Sequence, residues 1–98
     1  MTQLSIKASD SQLLVSGELT RDQVSRDFEK SSYQLINAKN PVINLAGVSL
    51  VDTAGLAWLL AMLEHASKQN INLQFTEIPV KLENLAKLSG VAGFLPAK

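Results

Sequence analysis

The chain has no cysteine, a single histidine, three prolines and five aromatic residues, and its nine basic residues are matched by nine acidic ones. Each scarcity excludes something. Without cysteine there are no disulfide staples and no thiolate metal sites, which fits a reducing, cytoplasmic compartment. With His65 alone there is no second imidazole to complete a metal site, and no metal or other cofactor is expected. The charges are spread along the chain without a basic cluster, which argues against nucleic acid and against electrostatic attachment to anionic lipid. The longest apolar run, Leu56 to Leu63, is far short of the roughly 18 residues a membrane span requires. Met1-Thr2-Gln3 lacks the basic start and apolar core of a secretion signal, so cytoplasmic residence is expected, with any membrane link made through another protein.

What is present is the patterning of one small globular domain, expected to span residues 1–98 without repeat, linker or disordered segment beyond the last few residues. Leu4, Ile6 and Ala8 alternate with polar residues, as do Leu13 and Val15 up to Gly17, with Asp10-Ser11 between the runs; this predicts a hairpin. Thr20 can cap a helix over Arg21 to Tyr33, with Val24, Phe28 and Leu35 inward and Arg21, Asp22, Arg26 and Glu29 wet. Asn40-Pro41 breaks the chain, and Val42 to Leu45 reads as a short central strand. A second helix runs from Ala54 to about Gln69, stopped by Asn70. Ile71 to Phe75 alternates as a further strand, and Pro79 opens a third helix through Leu88, ended by Gly90. This order implies an α/β fold: a mixed sheet of about four strands, right-handed crossovers, and helices mainly on one face.

The most informative stretch is Leu50-Val51-Asp52-Thr53-Ala54-Gly55-Leu56, where a short apolar segment ends and a strongly apolar helix begins. Thr53 is positioned to act as N-cap, with Asp52 adding negative charge at the positive end of the helix dipole. Beyond it, Leu56, Leu59, Leu60, Leu63 and Ser67 form a core-facing stripe. At about 100° per residue, Trp58, Met62, His65 and Gln69 fall on the opposite side, with Ala54, Ala57 and Ala61 between them. An exposed tryptophan and methionine are not needed for folding and mark a partner surface, the alternative being that another element covers them; on the surface reading Thr53, Ala54, Ala57, Trp58, Ala61 and Met62 are the expected contact residues.

Catalytic constellations are absent from the sequence. There is no Gly-x-Ser-x-Gly elbow, phosphate-binding loop or dinucleotide fingerprint, and Gly90-Val91-Ala92-Gly93 reads as a turn. Asp52-Thr53 has no neighbouring base that could activate the hydroxyl. No enzymatic activity is expected.

Gly17-Glu18-Leu19-Thr20 at the end of the second strand, and Val51-Asp52-Thr53-Ala54-Gly55-Leu56 opening a Leu-rich helix, resemble the STAS family, which includes anti-sigma factor antagonists and the cytoplasmic domains of sulfate transporters. The likeness covers essentially the whole chain. Together with Ala86-Lys87-Leu88, the motif is most similar to the branch that serves as the small cytoplasmic subunit of bacterial phospholipid ABC transporters. That resemblance implies a non-enzymatic subunit that binds the transporter's ATPase, within a complex containing a permease and a lipid-binding protein. In sigma-regulating members the residue after the Asp is usually a Ser phosphorylated by a partner kinase. Here the matching residues are Asp52, Thr53, Ala54 and Gly55, with Thr in place of Ser and Ala54 where Ser or Thr often follows. An anti-sigma factor antagonist switched by phosphorylation of Thr53 is the alternative that the family likeness implies.

Overall fold

The computed structural model describes residues 3–9, 12–36 and 42–95, and the Phe94 side chain is not described. The turn expected at Asp10-Ser11, the break at Asn40-Pro41 and the expected C-terminal fraying lie outside these residues. Strands β1 (Ser5–Ser9), β2 (Gln12–Leu19), β3 (Val42–Val51) and β4 (Gln74–Thr76) form one sheet in the order β1-β2-β3-β4. The β1/β2 pair is antiparallel and the other two pairs are parallel. Helices α1 (Arg26–Leu35), α2 (Thr53–Lys68) and α3 (Val80–Leu88) follow β2, β3 and β4, and a short 3-10 turn spans Ala92–Phe94. Each parallel crossover therefore contains one helix, as parallel pairing of successive strands requires.

One face of the sheet makes the core. Leu13, Val15 and Leu19 of β2, Ile43 and Leu45 of β3 and Phe75 of β4 are buried in one cluster with Leu56, Leu59, Leu82 and Ala86 from the helices. The opposite face is held by polar contacts: Ser5 Oγ lies 2.9 Å from Ser16 Oγ, and Asn44 Nδ2 donates to Gln12 Oε1 at 2.9 Å. Alternation in β2 thus separates a dry face from a wet one, and the helices gather on the dry face. Gly17 has φ +98 and backs onto the Gln3 carbonyl, which lies where a Cβ would stand.

Several boundaries differ from the sequence reading. Helix α1 starts at Arg26 with Ser25 as N-cap, whose Oγ accepts from Phe28 N at 3.1 Å, rather than at Arg21 with Thr20 as cap. Residues 20–24 turn instead, with the Thr20 carbonyl accepting from both Gln23 N and Val24 N. Strand β3 continues past Leu45 to Val51 because β2 pairs with it along almost its whole length, with register shifts at Leu14/Ser16 and Gly17/Glu18. β4 begins at Gln74 rather than Ile71, since Ile71 is drawn into closing α2: its amide donates to the Ala66 carbonyl at 2.9 Å. Asn70, at φ 59, supplies the left-handed residue of that C-terminal stop.

Candidate partner-binding site at the start of α2

The site is organised by Asp52. Its backbone is extended (φ -131, ψ -171), and its Oδ1 accepts from Ala54 N at 2.9 Å and Gly55 N at 3.2 Å. The N-cap is therefore Asp52, and Thr53 is the first residue of the helix, a correction of one position. The physical reason is reach: the carboxylate satisfies two of the free amides of the first turn and still has an oxygen left. That second oxygen, Oδ2, accepts from Arg21 N at 3.0 Å and so fastens the β2–α1 connection to the start of α2. Freed from capping, Thr53 is exposed to solvent.

Gly55 is buried against the end of β2. A Cβ there would overlap the Leu19 carbonyl oxygen and stand 2.8 Å from Leu19 Cγ, so α2 can approach this closely only with glycine at the position. The Asp52 amide also donates to the Leu19 carbonyl, at 3.3 Å. The motif thus joins a capped helix start, a strand end and the Arg21 turn at one point.

The expected outward face of tryptophan and methionine is not outward. Trp58 is 1% exposed and Met62 fully buried, so neither can form part of a partner surface. The cause is α1, which packs on that flank of α2. The Trp58 indole Nε1 donates to Ser32 Oγ at 3.0 Å, its ring lies 5.2 Å from that of Phe28 at 49°, and Ser32 Oγ in turn donates to the Glu29 carbonyl at 2.7 Å. One signal in the sequence pointed to this: Ser32, four residues after Phe28, is a hydroxyl on an apolar helix face and needs a buried partner. Covered by the sheet on one side and α1 on another, α2 buries Gly55, Leu56, Trp58, Leu59, Met62 and Ala66. Leu60 and Leu63, expected in the core, are half-buried, and Ser67 is exposed.

What reaches solvent is a narrow strip. Thr53 and Ala57 are exposed, Ala54, Leu60 and Ala61 half-buried, and Glu64, Ser67 and Lys68 exposed further along. Four of the six expected contact residues, Thr53, Ala54, Ala57 and Ala61, remain accessible and lie together, all of them small. Lys68 and Glu64 pair at 3.2 Å on this strip. His65, expected on the outer face, is half-buried and stacked on Tyr33 of α1, with centroids 4.7 Å apart and planes at 12°. Burial holds the Tyr33 hydroxyl above its ordinary pKa, and the nearby Glu29 and Glu64 carboxylates add to this.

Large apolar groups outside the α2 pattern meet solvent nearby. Leu50 is 43% exposed and Val80 70%. They flank a groove of about 180 Å³ between the end of β3 and the start of α3, directly before Asp52 in the chain. Among the described residues no group of three or more His, Asp or Glu is placed to hold a metal ion, and no helix is long and apolar enough to cross a membrane.

This arrangement agrees with the comparison of the sequence with known families. The family described as "Mlab, STAS domain" matches residues 2–96. The chain belongs to the STAS family. The four-stranded mixed sheet with its three helices is the fold expected of such a domain. No curated protein gives a match to the chain.

Proposed function

We propose that this STAS domain is a non-enzymatic subunit that docks on the ATPase of a phospholipid ABC transporter and supports its assembly and activity. Members of the family generally act by binding rather than by catalysis. The observation that carries the reading is the strip Thr53, Ala54, Ala57 and Ala61: small side chains on a helix start fixed from two sides by Asp52 and Gly55. Small residues allow a partner backbone or helix to approach closely, and a rigid start lowers the ordering cost of binding. The likeness to MlaB-type domains supports an ATPase as the partner, in a complex with a permease and a lipid-binding protein that maintains outer-membrane lipid asymmetry. The chain then resides in the cytoplasm, peripheral to the inner membrane through that partner.

A subunit that binds one state of an ATPase better than others stabilises that state by mass action, without contributing a chemical group. Reconstituted transporter with and without the chain tests this. Complex yield, ATPase rate or lipid transfer falls when the chain is omitted; if all three are unchanged, the docking reading is wrong.

One observation favours a second reading, an anti-sigma factor antagonist. Because Asp52 does the capping, the Thr53 hydroxyl stands exposed at the helix start, where a kinase can reach it. Mass spectrometry of the native protein separates the two: largely phosphorylated Thr53 supports the antagonist, and unmodified Thr53 the transporter subunit.

A further inference from the structure

Helices α1 and α2 run the same way across the sheet: Phe28 meets Trp58 toward their starts and Tyr33 meets His65 toward their ends. The carbonyls that each helix leaves without a helical partner therefore gather at one end of the pair, and so do the negative ends of both dipoles. α1 brings no basic residue to its last turn, while α2 brings His65 and Lys68. Lys68 is exposed and paired with Glu64 at 3.2 Å, so water and that carboxylate screen its charge. It is His65 that lies against α1, its imidazole stacked on the face of the Tyr33 ring at 4.7 Å. Carboxylates flank the stack from both helices, since Glu29 of α1 and Glu64 of α2 each reinforce the effect of burial on the Tyr33 hydroxyl. A positive charge on this imidazole thus meets an aromatic face, two carboxylates and two helix C-termini, all of which favour it. Half-buried, the ring keeps part of its contact with water, which limits the desolvation cost that opposes charging.

We propose that His65 is a proton-operated clamp, whose protonated form holds the C-terminal end of α1 on α2 more tightly than the neutral form. Histidine is the side chain whose charge ordinarily changes between about pH 8 and pH 5. The folded state surrounds the imidazolium with these partners and the unfolded chain does not, so folding favours proton uptake. The stability it contributes is gained as pH falls through that range and lost as pH rises. Acidification therefore seats α1 over Trp58, where Ser32 and Phe28 already hold it, and alkaline conditions loosen the seat.

Urea unfolding of the full chain, followed by circular dichroism at about pH 8 and pH 5.5, tests this. The quantity read for each protein is the ratio of its folding equilibrium constants at the two pH values. His65→Gln cannot charge, so its ratio carries the contribution of the other titrating groups. The wild-type ratio is expected to exceed it by about three- to tenfold. Tyr33→Phe keeps the ring face and most of that excess, whereas Tyr33→Leu and Glu29→Gln each lose part of it. Each ratio is taken within one variant, so a lower overall stability does not obscure it, and Glu29→Gln keeps the test readable if Tyr33→Leu does not fold. A wild-type ratio equal to or below that of His65→Gln overturns the inference. So does an excess that Tyr33→Leu and Glu29→Gln leave whole, because it then comes from the C-terminus of α2 alone and α1 takes no part.

Discussion

Asp52 and Arg21 are 31 residues apart in sequence, yet the carboxylate of one accepts the backbone amide of the other at 3.0 Å while also capping α2. One side chain thus fixes the helix start and the turn that leads to α1. Asp52→Ala removes both roles and costs on the order of 1–2 kcal/mol of stability, the upper part of the range for lost N-caps. Asp52→Asn keeps an acceptor and costs less. Equal unfolding midpoints for wild type and Asp52→Ala in denaturant titration would contradict the double role.

Removing the Ser32 hydroxyl strands the Trp58 indole N–H in the core, so Ser32→Ala is expected to cost about 1–3 kcal/mol although only one atom is lost. Trp58→Phe keeps most of the ring contact with Phe28 and forfeits the hydrogen bond, whereas Trp58→Ala costs about 3–5 kcal/mol through the cavity it leaves. Thermal unfolding of the three variants should rank them with Trp58→Ala the least stable. A Trp58→Ala protein as stable as wild type would contradict the burial.

Thr53→Ala should shift stability by no more than about 0.5 kcal/mol, as for an ordinary surface change, because the cap belongs to Asp52. Its effect appears in binding. Ala57→Arg places a long charged side chain on the strip and should abolish ATPase association in a pull-down while the chain stays folded by circular dichroism. Unimpaired association would remove α2 from the interface.

Tyr33 supplies a pH signature. The folded state holds its phenol in the neutral form, so the contribution is fully present below about pH 10 and is lost as pH rises through the elevated folded value. Ultraviolet titration of the phenol should show an upward-shifted transition, and Glu29→Gln should move it back down in part. A Tyr33 that titrates at the ordinary value would contradict the raising effect of its burial and of the Glu29 and Glu64 carboxylates.

The sheet, its hairpin and the three helices are legible in the sequence because period-two and helical patterns are local. Leu13 and Val15 declare a half-buried strand, and Asn70 and Gly90, both at positive φ, announce helix ends. The motif at Asp52–Gly55 is legible for the same reason. The burial of Trp58 and Met62 is not, because α2's own pattern cannot show that α1 lies on its second flank. That cover comes from Phe28 and Ser32, which approach only after the chain has crossed from β2 to β3. The start of α1 is hidden for a related reason: the Arg21 amide is taken by a carboxylate far along the sequence rather than by a local cap.

Placing the chain's single tryptophan beneath α1, away from the strip at Thr53 and Ala57, has a practical consequence for spectroscopy. Indole fluorescence in this protein is a built-in gauge of whether α1 is seated on α2. Docking of a partner on the small-residue strip leaves the indole environment alone unless α1 also shifts. An emission change on complex formation would therefore register movement of α1 rather than contact with the partner, and loss of the Asp52 tether to Arg21 should make that movement easier to observe.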